Sequence, residues 1–256
     1  MSEPLPEKRK KINVFQLLPN LLTISAICAG LSAIRFGYEG NFELAVRLVL
    51  AACVLDGLDG RLARLMKSAS PIGAELDSLA DFLNFGVAPV LIMYSWALQD
   101  FTSAGWIAVL SYTICCVLRL ARFNVDSRSD TKGLGGDFFV GVPSPAGAVL
   151  VMLPMVVSFV FSDLPLAPPA IIAAYICLVG LLMISRIPTY AFKKISIDRS
   201  NAKFFLLGAG LMAAALFTYL WATLALVTFA YIGSLIWALR AAHKSKKSRG
   251  QRHGTQ

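Results

Sequence analysis

Four aspartates set the chemistry this sequence can perform. They lie in the stretch from Leu55 to Asp81, LDGLDGRLARLMKSASPIGAELDSLAD. Asp56 and Asp59 are spaced i,i+3 and Asp77 and Asp81 i,i+4, so on helices each pair shares one face. Both pairs sit at the ends of apolar segments, and Arg61, Arg64 and Lys67 follow the first. The short link through Ser68, Ser70 and Pro71 predicts antiparallel neighbouring helices whose carboxylates converge. An aspartate at bilayer depth costs about 2.5–3.5 kcal/mol on insertion scales, and clustered like charges also repel. A divalent cation offsets both. All-oxygen ligation suits a hard ion, Mg2+ or Mn2+. Four carboxylates suffice for two such ions about 3.5–4 Å apart, the arrangement that clamps both sides of a phosphoryl displacement. Gly57, Gly60 and Gly73 remove side chains beside the carboxylates and open the backbone to a bulky ligand. Helix packing through small residues would explain the glycines alone, but not their register with four aspartates.

No other residue set competes. Cys28, Cys53, Cys115, Cys116 and Cys177 all lie in apolar stretches without a CxxC spacing, and the only histidines, His243 and His253, fall in the basic tail. A zinc set and a Ser-His-Asp or Cys-His mechanism are thereby excluded. There is no Walker motif and no GxGxxG. Proton chemistry is left to carboxylates.

The elements that position them are membrane helices. Of 256 residues, 57% are hydrophobic and 15% charged, with a mean hydropathy of +0.66; soluble domains carry about 25% charged residues. The composition predicts an all-α, polytopic transmembrane helical bundle. A span needs about 20 mostly apolar residues, and eight segments meet the pattern: 20–37, 43–62, 73–98, 104–124, 143–162, 168–186, 204–220 and 221–240. With eight spans, all but Arg35 and Arg47 of the 24 Lys and Arg residues fall on one face, which the positive-inside rule assigns to the cytoplasm together with both termini. Merging the last two segments into one tilted helix would carry the basic tail to the other side. The net charge of +9 therefore reads as membrane topology, not nucleic-acid binding. Residues 12–18 predict a short interfacial helix before Pro19. A cleavable signal peptide is not expected, since the first apolar segment is long and no A-x-A-like site follows it.

The run Asp56-x2-Asp59-Gly60-x2-Ala63-Arg64-x8-Gly73-x3-Asp77-x3-Asp81 resembles, without departure, the signature of the CDP-alcohol phosphotransferase family. The resemblance covers residues 15–186. It implies that Asp56, Asp59, Asp77 and Asp81 line a two-metal site, that Asp81 is the general base, and that Gly60, Ala63, Arg64 and Gly73 lie under the nucleotide diphosphate. It also implies a homodimer. The flanking stretches Pro19-Asn20-Leu21-Leu22-Thr23, Asp81-Phe82-Leu83-Asn84-Phe85-Gly86, Arg119-Leu120-Ala121-Arg122-Phe123-Asn124 and Gly141-Val142-Pro143-Ser144-Pro145 look like those of the bacterial members that use L-serine as acceptor. CDP-diacylglycerol and L-serine are then the expected substrates, membrane lipid the surroundings and the bacterial inner membrane the location. Asn84, Arg119, Arg122 and Ser144 are candidate acceptor contacts, and Arg186 and Lys193 candidate contacts of the lipid phosphate. The expected organisation is a cytoplasmic segment 1–18, a six-span core 19–186, two further spans in 187–240 and a basic tail 241–256. Another alcohol, such as glycerol 3-phosphate, inositol or choline, remains open as acceptor. A cation-coupled transporter would need its carboxylates near the bilayer midplane on broken helices; here they lie near the cytoplasmic ends beside basic residues, which suits a phosphate better.

Overall fold

The computed structural model describes residues 17–66, 68, 70–128, 138–161, 163, 165, 167–185, 188–190 and 202–252. Two helices open the chain, α1 (Leu18–Tyr38) and α2 (Phe42–Leu65). Pro19 lies in the first turn of α1, where its missing N–H costs nothing. Gly40, at φ +80°, makes the turn, and the Asn41 side chain caps α2 by accepting from the Leu44 N–H at 3.2 Å. Ala26, Gly30, Ala33 and Gly37 form a buried small-residue stripe on α1, with Gly30 against Asn84 of the following segment and Gly37 against Ile92; α2 buries Ala45, Val46, Val49 and Ala52. Such stripes let membrane helices approach closely, and these two helices make the most extensive pairing among the described residues.

The next apolar segment is helical from Pro71 to Ala97 but not uniformly so. It runs as α3 (Pro71–Asp81), a π-helical turn (Phe82–Val87) and α4 (Ala88–Ala97). Ser70 caps α3, its hydroxyl accepting from the Gly73 N–H at 3.0 Å, and Pro71 follows in the first turn. Pro89 has no N–H to return to the Phe85 carbonyl, which is the physical cause of the disturbed ladder. The freed carbonyl of Phe85 instead accepts from the Tyr112 hydroxyl at 2.9 Å, and the neighbouring Gly86 carbonyl accepts from the Thr113 hydroxyl at 3.2 Å.

Those donors stand on α5 (Thr102–Arg128). A three-residue strand, β1 (Phe138–Val140), precedes α6 (Ser144–Val151) and α7 (Leu153–Val160). The segment read as one span over 143–162 is thus broken at Met152, where Pro154 removes a backbone donor. Then come α8 (Pro169–Ile184), β2 (Pro188–Tyr190), α9 (Ala202–Thr218) and α10 (Leu220–Arg252). β1 and β2 pair antiparallel, Phe139 opposite Thr189. The core gathers Val46, Val49, Ile92, Met93, Tyr112, Met152, Met155, Ile172, Ile176 and Met183, all buried, and so belongs to α1–α8 with part of α10.

The architecture is all-helical apart from this ribbon, with a helix in each of the eight predicted segments. Among the described residues four stretches are long and apolar enough to cross a membrane: Leu18–Tyr38, Pro71–Ala97, Thr102–Asp126 and Leu220–Ala238. α8 and residues Leu206–Thr218 are apolar but shorter. The segment at α2 falls outside that set because Glu43, Arg47, Asp56, Asp59, Arg61 and Arg64 interrupt it, and 143–162 falls outside because it is broken. α10 continues as helix to Arg252, into the basic tail expected from residue 241. Residues 12–16 of the expected interfacial helix lie outside the described residues, as do Arg186 and Lys193.

Candidate functional site

The expected pairing of α2 with α3 is replaced by a three-helix arrangement. α3 packs mainly against α1 and the π-helical turn rather than against α2. The spacing of the aspartates fixes which face of each helix they share, but not how far apart the helices stand. A gap opens between α2 and α3, closed at the back by the first turns of α1, and the carboxylates reach into it.

Asp56, Asp59 and Asp77 each offer a carboxylate oxygen within 4.8 Å of the others. Asp81, one turn beyond Asp77, places its carboxyl at hydrogen-bonding range of that of Asp56. Asp59 is buried; its Oδ2 lies 2.6 Å from the Thr23 hydroxyl of α1. That hydroxyl is also 3.1 Å from the Pro19 carbonyl, and its single proton goes to the nearer, charged acceptor. Among the described residues, Asp56 Oδ1, Asp59 Oδ1 and Asp81 Oδ1 are enclosed without a hydrogen-bond partner, and no Lys or Arg is ion-paired with any of the four. Converging acidic oxygens with no donor between them are costly in an apolar interior. The donor set is oxygen alone, which fits a hard divalent cation.

Beside Asp59 and Asp77 lies a cavity of about 180 Å³. Gly60, Ala63, Arg64 and Gly73, the four residues expected under a diphosphate, all line it. A Cβ on Gly60 would meet nothing within 4 Å, so this glycine borders open space, whereas one on Gly73 would approach Asn20 Oδ1 at 3.0 Å and Ser70 Oγ at 3.1 Å. Arg64 is held along the rim by its Nε, which donates to the Gly60 carbonyl at 3.0 Å. Pro19, Asn20, Thr23, Ser68 and Ser70 complete much of the lining. Sequence reasoning assigns none of these five a site role. Asn20 and Thr23, polar at i,i+3 in the first turns of an apolar helix, are the signal that could have found them.

The expected acceptor residues divide. Arg119 is half-buried on α5 and lies within electrostatic range of Asp81. Its Nη1 sits 3.4 Å from where a Cβ on Gly141 would stand, and Gly141, at φ +86°, occupies the left-handed region that favours glycine. Ser144, buried, lies beside Cys116, one turn from Arg119 on the same helix. Arg122 is exposed. Asn84 is fully enclosed in the π-helical turn, its amide against Gly30 of α1, where any Cβ would fall on Asn84 Oδ1. Neither amide atom has a partner among the described residues. Asn124, in the same flanking motif, donates to the Ser78 hydroxyl of α3 at 3.0 Å, tying α5 to the helix that carries Asp77 and Asp81.

Known proteins share this sequence pattern over most of its length. A family model described as CDP-alcohol phosphatidyltransferase matches residues 16–185. The CDP-diacylglycerol–serine O-phosphatidyltransferase of Mycobacterium leprae is 41% identical over 211 residues, covering 82% of this chain and 70% of that protein. The protein of the same name from Helicobacter pylori strain 26695 is 39% identical, covering 77% of this chain and 80% of its own. The archaetidylserine synthase of Methanothermobacter thermautotrophicus is 35% identical over 70% of this chain and 71% of its own.

Proposed function

Because the chain belongs to the CDP-alcohol phosphatidyltransferase family, we propose that it transfers the phosphatidyl group of CDP-diacylglycerol to the hydroxyl of L-serine, giving phosphatidylserine and CMP. The observation that carries the reading is the meeting of the carboxylate cluster with a small-residue cavity: Asp59 and Asp77 border the space that Gly60, Ala63, Arg64 and Gly73 also line. The names of the relatives in bacteria support serine as the acceptor.

Asp56, Asp59, Asp77 and Asp81 would hold two divalent ions, Mg2+ or Mn2+, which when bound neutralise the pyrophosphate and polarise the phosphorus under attack. Gly60 and Gly73 let the diphosphate approach the backbone, and Arg64 neutralises part of its charge at the rim. Thr23 orients Asp59. Asp81 takes the proton of the serine hydroxyl as its oxygen attacks the phosphorus bearing diacylglycerol. The new P–O bond forms as the bond to the CMP oxygen breaks, and CMP leaves with the electron pair. Among the described residues the converging ligand atoms are those of aspartates alone, so a single in-line displacement is the economical path. Arg119, with Ser144, Asn84 and Arg122 nearby in sequence or space, is the acceptor side of the site.

The diacylglycerol chains must stay in lipid during the reaction. The reading therefore includes a membrane location, and with it go the bacterial inner membrane, eight spans with both termini cytoplasmic, a core over 19–186 with two added spans and an interfacial helix before Pro19; a homodimer enters only as what the family resemblance implies. Labelled L-serine tests the activity. Membranes containing the protein should convert it to an organic-soluble phospholipid only when CDP-diacylglycerol and a divalent ion are both present. Conversion that survives chelation would remove the metal-assisted mechanism, and none under any condition would remove the activity.

A further inference from the structure

The segment that carries Asp77 and Asp81 meets α1 through two glycine–asparagine contacts of opposite sense. At the start of α3, Gly73 faces Asn20 of α1, where a Cβ on the glycine would stand 3.0 Å from Asn20 Oδ1. Beyond Asp81 the partners are exchanged. Asn84 of the π-helical turn faces Gly30 of α1, and a Cβ on that glycine would fall on Asn84 Oδ1 and stand 3.2 Å from its Cγ. The two contacts bracket Asp77 and Asp81 along the chain. On α1, Thr23 lies between them, and its hydroxyl donates to Asp59 of α2 at 2.6 Å. Thr23 and Gly30 are both buried and seven residues apart, two turns along one helix face. One face of α1 is therefore the common reference for the carboxylates of α2 and of α3.

Packing alone does not account for Asn84. Its side chain is fully enclosed, and neither Oδ1 nor Nδ2 has a hydrogen-bond partner among the described residues. A buried polar group left unpaired costs about 1–3 kcal/mol, which a leucine of similar shape would avoid. Asparagines are kept at such a cost in helix interfaces where they fix the register of the packed helices. We propose that Asn84 is a positioning residue: its amide, seated in the notch at Gly30, sets the register of the interrupted segment on α1 and so holds Asp81, three residues earlier, among the carboxylates. An enclosed side chain acts through Asp81 and not on a substrate, so its place on the acceptor side of the site is indirect. The proposal rests on the reading that Asp81 takes the proton of the acceptor hydroxyl.

Asn84→Leu keeps the shape and deletes the polarity. In full-length detergent-purified protein the Tm should hold or rise, while kcat at saturating CDP-diacylglycerol and serine falls about tenfold or more, the scale set by a small displacement of a reacting group. Both KM values should stay within about twofold. Gly30→Ala closes the notch at a position where alanine favours the helix, and should lower kcat in the same way. Adding Asn84→Ala to Gly30→Ala makes room for the new methyl group and should recover part of the loss. A rise in the serine KM alone would overturn the proposal in favour of a direct acceptor contact. A lower Tm with kcat unchanged, or full activity in both single variants, would overturn it in favour of packing. A double variant no more active than Gly30→Ala would also overturn it, by showing that the two residues are not coupled. Wild-type turnover in Asp81→Asn is the separate result that removes the parent reading and this proposal with it.

Discussion

Asp59 and Asp81 have different neighbours, and we propose different roles for them, metal ligand and general base. Asp59 is buried and accepts from Thr23 at 2.6 Å, which fixes its orientation toward a cation. Asp56, Asp59 and Asp81 each keep one enclosed oxygen without a partner among the described residues; what sets Asp81 apart is the carboxyl of Asp56 beside it. Asp81→Asn should lower turnover by about a hundredfold or more, measured as CMP release, while CDP-diacylglycerol still binds. Equal loss of both would make Asp81 chiefly a metal ligand. Thr23→Val keeps the shape and deletes the bond to Asp59; the divalent ion concentration giving half-maximal rate should rise about tenfold. Gly60→Leu tests the cradle. A Cβ there meets nothing within 4 Å and the residue borders the cavity, so thermal stability should hold while the KM for CDP-diacylglycerol rises; a loss of stability with unchanged KM would assign Gly60 to packing instead. The aspartates, Gly60, Ala63, Arg64 and Gly73 are legible in the sequence because charged and glycine residues in fixed register within apolar helices have few other uses. Thr23 and Asn20 are not, since an isolated Thr or Asn in such a helix ordinarily serves packing or a local backbone bond.

Among the elements, the interrupted segment 71–97 has the most consequence for the site. Its aspartates lie on regular α-helix, and the π-helical turn begins immediately after Asp81. That turn redirects Asn84 against Gly30 and exposes the carbonyls that α5 must satisfy. Tyr112→Phe would leave the Phe85 carbonyl without its 2.9 Å donor, and a buried unsatisfied carbonyl costs about 1–3 kcal/mol. The expected outcome is a lower Tm accompanied by reduced activity; a lower Tm with full activity would show that the turn does not position Asp81. Helix existence is legible in every apolar segment, because length and hydropathy suffice for that. The interruptions at Phe82–Val87 and Met152 escape a reading by hydropathy, although Pro89 and Pro154 carry the signal. Nor can spacing reveal that α3 leans on α1, since periodicity identifies a helix's apolar face without naming what covers it.

At the scale of the whole molecule, Asp56 and Asp59 lie in the C-terminal half of α2, ahead of Arg61 and Arg64, and Asp77 reaches them from α3. We propose that this end of α2 faces the cytoplasm with both termini, as the basic-residue asymmetry expects. Reporters fused at either end should therefore report a cytoplasmic location. A periplasmic reading at the C-terminus would contradict the even span count. α9 presents Leu206, Leu207, Leu211, Met212 and Phe217 outward, as a helix does when its surroundings are acyl chains. Composition makes the membrane character legible; hydropathy alone does not mark α2 as a crossing helix, because Glu43, Arg47, the two aspartates and the arginines that follow them lower it.

The central claim is phosphatidyl transfer to serine. It is tested most directly by CMP release from detergent-purified protein given CDP-diacylglycerol, a divalent ion and one acceptor at a time: L-serine, inositol, choline or glycerol 3-phosphate. CMP together with phosphatidylserine, formed with serine alone, is the result predicted. CMP release with another alcohol and none with serine would contradict the acceptor, and no release with any of the four would contradict the transferase reading itself.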